Sequence, residues 1–247
     1  ATGIGNSVPA IFGLLYFAFN KKGTLYFGKL VWNRKVLLQS IGNGMSELIS
    51  QLSTAITTLL FNIILLDLMG KAGVASISVI LYIQLIQTSI YFGYSVGVAP
   101  IISYKYGARD IVQLKKVIKI SFVFLSVVSL CTIASSLLFD DMAVSIFIHK
   151  SSSTFTMAKD GFRIFSIGYL FMGINVFASA MFTALSNGKV SALLSIVRTL
   201  VFLVASLVTL PAMIGLNGVW LAVPVAELLA FVVSIYYYKQ GKKVYFY

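Results

Sequence analysis

Long uncharged stretches run through most of the 247-residue chain and give the first prediction of its structure. A helix needs about 20 largely apolar residues to cross the hydrocarbon core of a membrane, whereas barrel strands are shorter and alternate in polarity. We therefore predict an all-α membrane protein with seven transmembrane helices. Their approximate ranges are 4–20, 41–69, 72–104, 120–139, 164–185, 190–210 and 218–238.

The composition agrees with a membrane protein and argues against an enzyme. Hydrophobic residues make up 59% of the chain and charged residues only 11%, whereas about a quarter of a soluble domain is charged. With only Cys131 and His149 of their types, the chain has no disulfide framework and no Cys/His cluster for a metal. It also lacks GxxxxGK[ST], GxSxG and HExxH motifs. We expect no enzymatic activity and no cofactor.

The basic residues lie mostly between the predicted spans and indicate the topology. Fourteen lysines and arginines follow the first, third, fifth and seventh spans, four lie on the opposite side, and Arg198 lies within a span. Basic residues collect on the cytoplasmic side of membrane proteins. We therefore predict a multi-pass protein of the plasma membrane with a cytoplasmic C-terminus, and we attribute the net charge of +12 to topology rather than to nucleic-acid binding.

Residues 24–39, between the first two spans, mix aromatic and aliphatic side chains with Lys29, Arg34 and Lys35. This mixture fits an amphipathic helix lying at the membrane interface. An ordinary basic linker with an aromatic anchor fits it equally well.

Three ionisable residues lie inside predicted spans: Glu47, Arg198 and Glu227. Such residues are costly in a membrane and are first candidates for function. Counted along their helices, they lie roughly 18, 14 and 18 Å from the nearest cytoplasmic basic residue, so they could meet at one level. The three could form a proton- or cation-responsive cluster at a cavity. Alternatively, Arg198 and Glu227 merely neutralise each other.

Polar side chains also form a stripe in the third span, where spacings of three and four residues place them on one helical face. The stripe comprises Gln84, Gln87, Thr88, Tyr91 and Ser95. It could line a substrate cavity or supply hydrogen bonds between helices. Gly93 and Gly97 in the same span form a GxxxG motif, which indicates close helix packing.

Three segments resemble conserved stretches of the MATE (multidrug and toxic compound extrusion) transporters. Residues 97–108, GVAPIISYKYGA, resemble the end of helix eight in that family. Residues 184–191, ALSNGKVS, followed by Arg198 and Thr199, resemble the junction of helices ten and eleven. Residues 215–220, GLNGVW, followed by PVAE at 224–227, resemble the entry to helix twelve. The resemblance covers nearly the whole chain and is greatest to the DinF- and MepA-like prokaryotic branch.

The resemblance implies a domain organisation, because a MATE transporter has twelve helices in two six-helix lobes. Residues 1–20 would be the end of helix six and residues 21–40 a cytoplasmic amphipathic linker. Residues 41–238 would be the C-terminal six-helix lobe, and 239–247 a cytoplasmic tail. The expected partners are therefore the missing N-terminal lobe, the lipid bilayer and small amphipathic or cationic substrates.

The resemblance also implies a function: the C-terminal half of a secondary active multidrug efflux antiporter that exchanges its substrates for H⁺ or Na⁺. Glu47 matches an acidic position of helix seven, and Arg198 and Glu227 match positions typical of the branch. Asn175 is the most polar residue of the helix in which some members carry an aspartate. The alternatives are a lipid-linked oligosaccharide flippase of the same superfamily and a membrane scaffold subunit that does not transport.

Overall fold

The computed structural model describes residues 2–20, 27 and 32–245. Within helices, the side chains of residues 2, 4–6, 39, 43, 46, 47, 50, 153 and 243 lie outside this description. The chain divides into two compact units, residues 1–39 and 40–247. The described elements are helical: α1 (Thr2–Phe19), α2 (Arg34–Gly107), α3 (Ile111–Leu138), α4 (Asp140–Ser145), α5 (Ser153–Ser166), α6 (Tyr169–Ala184), α7 (Gly188–Ile196), a π-helical turn (Val197–Phe202), α8 (Leu203–Ile214) and α9 (Leu216–Tyr245).

The first unit contains the short apolar helix α1. Of residues 24–39, considered for an amphipathic helix, positions 24–26 and 28–31 lie outside the described residues, and positions 27, 32 and 33 are not helical. From Arg34 onward the segment is helical, and Asn33 begins the helix because its side-chain oxygen accepts hydrogen bonds from the backbone N–H groups of Lys35 and Val36.

Gly70 interrupts α2 with φ 61° and ψ −149°, a conformation that is accessible to glycine and strained for other residues. The interruption falls in the gap that the sequence predicts between the second and third spans. On each side of Gly70 the arm of α2 is longer than the about 20 residues that a membrane crossing needs.

By length and apolar composition, four described helices can cross a membrane, or five if α5 and α6 together form one bent span. The two arms of α2 count as a single helix in that number, and α1 is shorter than a span. Helix α5 is bent by 53° relative to α6. The membrane-protein class is confirmed, whereas the number seven stays a prediction.

Two helices begin earlier than the sequence predicts. Helix α3 begins at Ile111 rather than near 120, and α5 begins at Ser153 rather than near 164. Hydropathy detects only the apolar part of a helix, and both helices start with turns that carry charges. Asp110 and Ser152 begin them by accepting backbone N–H bonds with their side chains.

The short helix α4 lies in the segment that the sequence predicts as a loop, and ion pairs connect it to α5. The ammonium of Lys159 lies 2.7 Å from an Asp141 carboxylate oxygen, and Arg163 pairs with the buried Asp140. The hydrogen bond from Lys159 is the main reason that the pKa of Asp141 is lowered. A hydropathy pattern cannot predict such ion pairs, because it shows only that the connecting segment is charged.

Helix α6 is the most buried element of the second unit and packs against α3, α7 and α9. Close approach requires glycine at Gly173, where an added Cβ would lie 2.9 Å from the Ser129 hydroxyl and from the Tyr91 ring. By contrast, many large apolar side chains on α2 and α3 are exposed, which is expected of surfaces that face lipid or another protein.

Candidate functional site

Arg198 and Glu227 form an ion pair inside the second unit, between the π-helical turn and α9. The Nε atom of Arg198 donates to Oε1 of Glu227 at 2.9 Å. The two side chains are 17% and 7% exposed. The pairing that the sequence suggested from similar depth is therefore present, and Arg198 is the more accessible partner.

Asn175 of α6 completes the coordination of the Glu227 carboxylate. Its Nδ2 atom donates to Oε2 at 2.7 Å and to the backbone carbonyl of Glu227 at 2.9 Å. Its Oδ1 atom accepts a hydrogen bond from the Ser234 hydroxyl at 3.1 Å. Each oxygen of the Glu227 carboxylate thus has its own donor. A neutral amide and a guanidinium together stabilise its negative charge.

The local backbone places Arg198 in a π-helical turn, Val197–Phe202, between α7 and α8. Wider turns of this kind are rare and occur frequently at functional sites. One extra residue in the turn rotates the side chains that follow relative to those that precede it. No pattern in the sequence indicated this turn.

A cavity of about 110 Å³ lies beside the ion pair. Arg198, Glu227 and Gln84 line it together with three threonines that the sequence analysis missed: Thr54, Thr57 and Thr58. The rest of its wall is mostly apolar and comes from Phe61, Leu81, Met172, Leu203, Val223 and Ala226, with Thr199. The threonine spacing of three and four was a visible signal, because it places polar groups on one face of a membrane helix.

The threonine hydroxyls give the cavity an accepting character. Thr57 and Thr58 donate their hydroxyl hydrogens to backbone carbonyls of their own helix, at 2.9 and 2.8 Å. A hydroxyl that donates once keeps lone pairs for a donor or a cation. Together with the Glu227 carboxylate, the wall therefore offers acceptors to a ligand that carries N–H groups or positive charge.

The predicted stripe in the third span divides in two. Gln84 faces the cavity, and its Nε2 atom lies 3.9 Å from the Met172 sulfur. Gln87 instead donates to the Ser136 hydroxyl at 2.7 Å, and the Tyr91 hydroxyl donates to the Tyr169 carbonyl at 3.4 Å. These two residues bind neighbouring helices.

Two other members of the stripe do not line the cavity either. The Thr88 hydroxyl donates to a carbonyl of its own helix, and Ser95 is buried. The GxxxG motif has no close helix partner, because nothing among the described residues lies within 4 Å of a Cβ added at Gly93 or Gly97.

The side chain of Glu47 lies outside the described residues, although its backbone belongs to α2. Its predicted role at the site therefore stays a prediction.

Comparison with known proteins identifies the class of this membrane protein. The MatE family model matches residues 38–208, and the chain belongs to the MatE family. The chain is therefore a member of a transporter family. Nearly the whole chain matches part of the MATE fold.

Several solved structures share this fold. A multidrug resistance MATE family transporter of the MOP superfamily, in an outward-facing conformation, has a TM-score of 0.83 and 21% identity over 97% of this chain and 54% of that one. A MOP superfamily transporter from Pyrococcus furiosus, described as having a binding pocket of reverse polarity, has a TM-score of 0.83 and 22% identity. The match covers 97% of this chain and 55% of that one. A mutant of the Vibrio cholerae MATE transporter VcmN has a TM-score of 0.78 and 17% identity. The match covers 100% of this chain and 55% of that one.

The chain thus spans about half the length of the solved transporters that it matches. No curated protein matches the chain.

Proposed function

We propose that this chain forms the C-terminal half of a secondary active efflux antiporter, which exports amphipathic or cationic compounds in exchange for H⁺ or Na⁺. The observation that carries the proposal is the cavity beside Glu227, where a buried carboxylate, threonine hydroxyls and apolar side chains face one space. Amphipathic cations require this combination of apolar wall and acceptor groups. Metal or nucleotide chemistry is not part of the proposal.

The size of the cavity supports the view that the chain supplies only part of a binding site. Pockets for drug-sized molecules occupy about 300–1,000 Å³, whereas this cavity holds about 110 Å³. Transporters built from two repeats usually bind substrate where the repeats meet. We propose that an N-terminal six-helix lobe provides the remaining wall and that the assembled protein lies in a prokaryotic plasma membrane with the C-terminus cytoplasmic.

Glu227 links the cavity to ion coupling in this proposal. Its carboxylate is held by Arg198 on one oxygen and by Asn175 on the other. A proton or a cation that reaches Glu227 from the cavity would compete with Arg198 for the same oxygen. Release of the Arg198 guanidinium into the cavity would then disfavour a cationic substrate by like-charge repulsion. Ion and substrate would thus bind alternately.

The same contact argues against the flippase alternative. A site for a lipid pyrophosphate needs several unengaged cations. Arg198 is the only cation in the cavity wall as the structure describes it, and its Nε already donates to Glu227. We therefore favour the exporter.

The test uses the protein with its N-terminal lobe attached, reconstituted in vesicles with an imposed proton or sodium gradient. Ethidium efflux should require both lobes and the gradient. Glu47→Gln should abolish coupled efflux or change its pH dependence with little loss of folded protein. Asp160→Asn is the charge-matched control, because Asp160 is exposed and does not line the cavity, and it should transport normally.

Full-rate efflux by the 247-residue chain alone would refute the half-transporter proposal. Gradient-independent movement of a lipid-linked oligosaccharide, without ethidium efflux, would favour the flippase instead. A folded two-lobe protein that moves neither substrate would favour the scaffold.

A further inference from the structure

A second cavity of about 250 Å³ lies where the ends of three helices meet. Its wall comes from the C-terminal end of α2, the first turn of α3 and the end of α9. Lys105 and Arg109 supply the charges, Tyr106 and Tyr245 the aromatic groups, and Ile111 and Val244 apolar side chains. The candidate membrane spans end or begin at residues 107, 111 and 242, and on this basis we place the cavity at the level of a membrane interface.

Among the described residues, Arg109 is the cation of this cavity that has no counter-ion. No carboxylate in the described part of the chain lies within ion-pair distance of it, whereas Lys105 pairs with Asp110 at 3.2 Å. Arg109 also has φ 58°, a left-handed conformation that costs free energy in a residue with a side chain. Arg109 is exposed, so its guanidinium is open to a ligand that enters the cavity.

The aromatic wall of the cavity is fixed by contacts elsewhere in the fold. The Tyr245 hydroxyl accepts a hydrogen bond from Nδ2 of Asn187 at 2.7 Å, and its ring packs edge-on to Tyr106 with centroids 5.7 Å apart. Asn187 is itself held, because its Oδ1 accepts the backbone N–H of Val190 at the start of α7. The cavity wall is therefore built from anchored side chains rather than from a loose tail.

From this combination we infer that the second cavity binds the headgroup of an anionic phospholipid. Arg109 would bind the phosphate through its planar guanidinium, which presents paired donors. The exposed side chains of Ile111 and Val244, next to the cavity, would contact the first carbons of the acyl chains. Basic pockets between transmembrane helices bind such headgroups in other membrane proteins. This site is separate from the Glu227 cavity and does not depend on the proposed transport activity.

Native mass spectrometry of the purified chain in detergent tests the inference, with phosphatidylglycerol and phosphatidylcholine added as competing lipids. The wild type should retain phosphatidylglycerol preferentially. Arg109→Asn removes the charge while keeping a residue that tolerates the left-handed conformation. It should weaken phosphatidylglycerol binding about fivefold, the effect expected for one cation near a membrane surface. Arg109→Lys should restore part of the binding.

Lys116→Gln is the matched control, because Lys116 is an exposed basic residue of α3 that does not line the cavity. It should leave phosphatidylglycerol retention within about twofold of the wild type. Equal losses in Arg109→Asn and Lys116→Gln would mean diffuse surface attraction and would overturn the site. So would equal retention of the two lipids by the wild type. Displacement of the lipid by inorganic phosphate at matched concentration would assign the cavity to a free anion and overturn the lipid assignment.

Discussion

The Arg198–Glu227 pair should be strongly coupled, and a double-mutant cycle measures that coupling. Glu227→Gln leaves the guanidinium without its carboxylate, and Arg198→Met leaves the carboxylate without its guanidinium. Breaking one side of a buried pair costs about 3–5 kcal/mol of folding free energy, whereas removing both charges costs far less. The double variant should therefore be more stable than the sum of the single changes predicts.

The contacts around the pair offset part of the loss in each single variant. After Arg198→Met, the Glu227 carboxylate keeps the Asn175 amide as a donor at 2.7 Å, so we expect a loss near the lower end of that range. After Glu227→Gln, the guanidinium faces a neutral amide oxygen, but Arg198 lines the cavity and is 17% exposed, so water offsets part of its loss. At about 2–4 °C per kcal/mol, the scale for soluble domains of this size, losses of 3–5 kcal/mol lower the melting temperature by roughly 6–20 °C.

The assay is thermal unfolding of the purified chain in detergent, for wild type, both single variants and the double variant. Lys116→Gln supplies the control cycle with Glu227→Gln, because Lys116 is an exposed residue of α3 that does not line the cavity. That control cycle should be additive. If the Arg198→Met/Glu227→Gln double variant loses as much as its two single variants added together, the two side chains are not energetically coupled and the reasoning fails.

Two further predictions concern packing and a helix start. Gly173→Ala should cost about 1–3 kcal/mol, because its Cβ would overlap the packed neighbours of α6, whereas Gly93→Ala, with open space around it, should be neutral or stabilising in the same melt. The pKa of Asp110 is lowered, chiefly because it accepts the backbone N–H of Gln113. Its contribution to stability should be complete at neutral pH and should disappear as the pH falls below its ordinary value of 3.8, so the melting difference between Asp110→Ala and wild type should shrink in acid.

The sequence predicted the elements of the fold that depend on hydropathy alone. Uncharged stretches of sufficient length predicted membrane helices, and the gap at residues 69–72 coincides with the break at Gly70. Hydropathy could not predict where a helix continues past the apolar region. The basic first turns of α3 and the charged first turns of α5 are helical because of their capping residues and local packing, which a search for apolar stretches ignores.

The candidate site was predictable in its residue types and not in its geometry. Arg198 and Glu227 stand out because charges inside membrane helices are costly without a partner. Asn175 stood out only as the most polar residue of its span, and nothing in the sequence showed that α6 brings it to the Glu227 carboxylate. The stripe residue Gln87 illustrates the same gap: helical periodicity gave its face, but only the packing of α3 shows that it binds Ser136.

The arrangement around Glu227 joins the cavity to the buried part of the fold. One carboxylate oxygen accepts a hydrogen bond from Arg198, which lines the cavity, and the other accepts one from the buried Asn175. The Asn175 side-chain oxygen in turn accepts a hydrogen bond from the Ser234 hydroxyl. A change in the charge of Glu227 therefore alters donors on both sides at once. Neutralisation by a proton would weaken the bond to the guanidinium far more than the bond to the amide, because only the former has a full charge on its donor. We expect Asn175 to keep α6 and α9 joined while the Arg198 side chain moves away from the Glu227 carboxyl group.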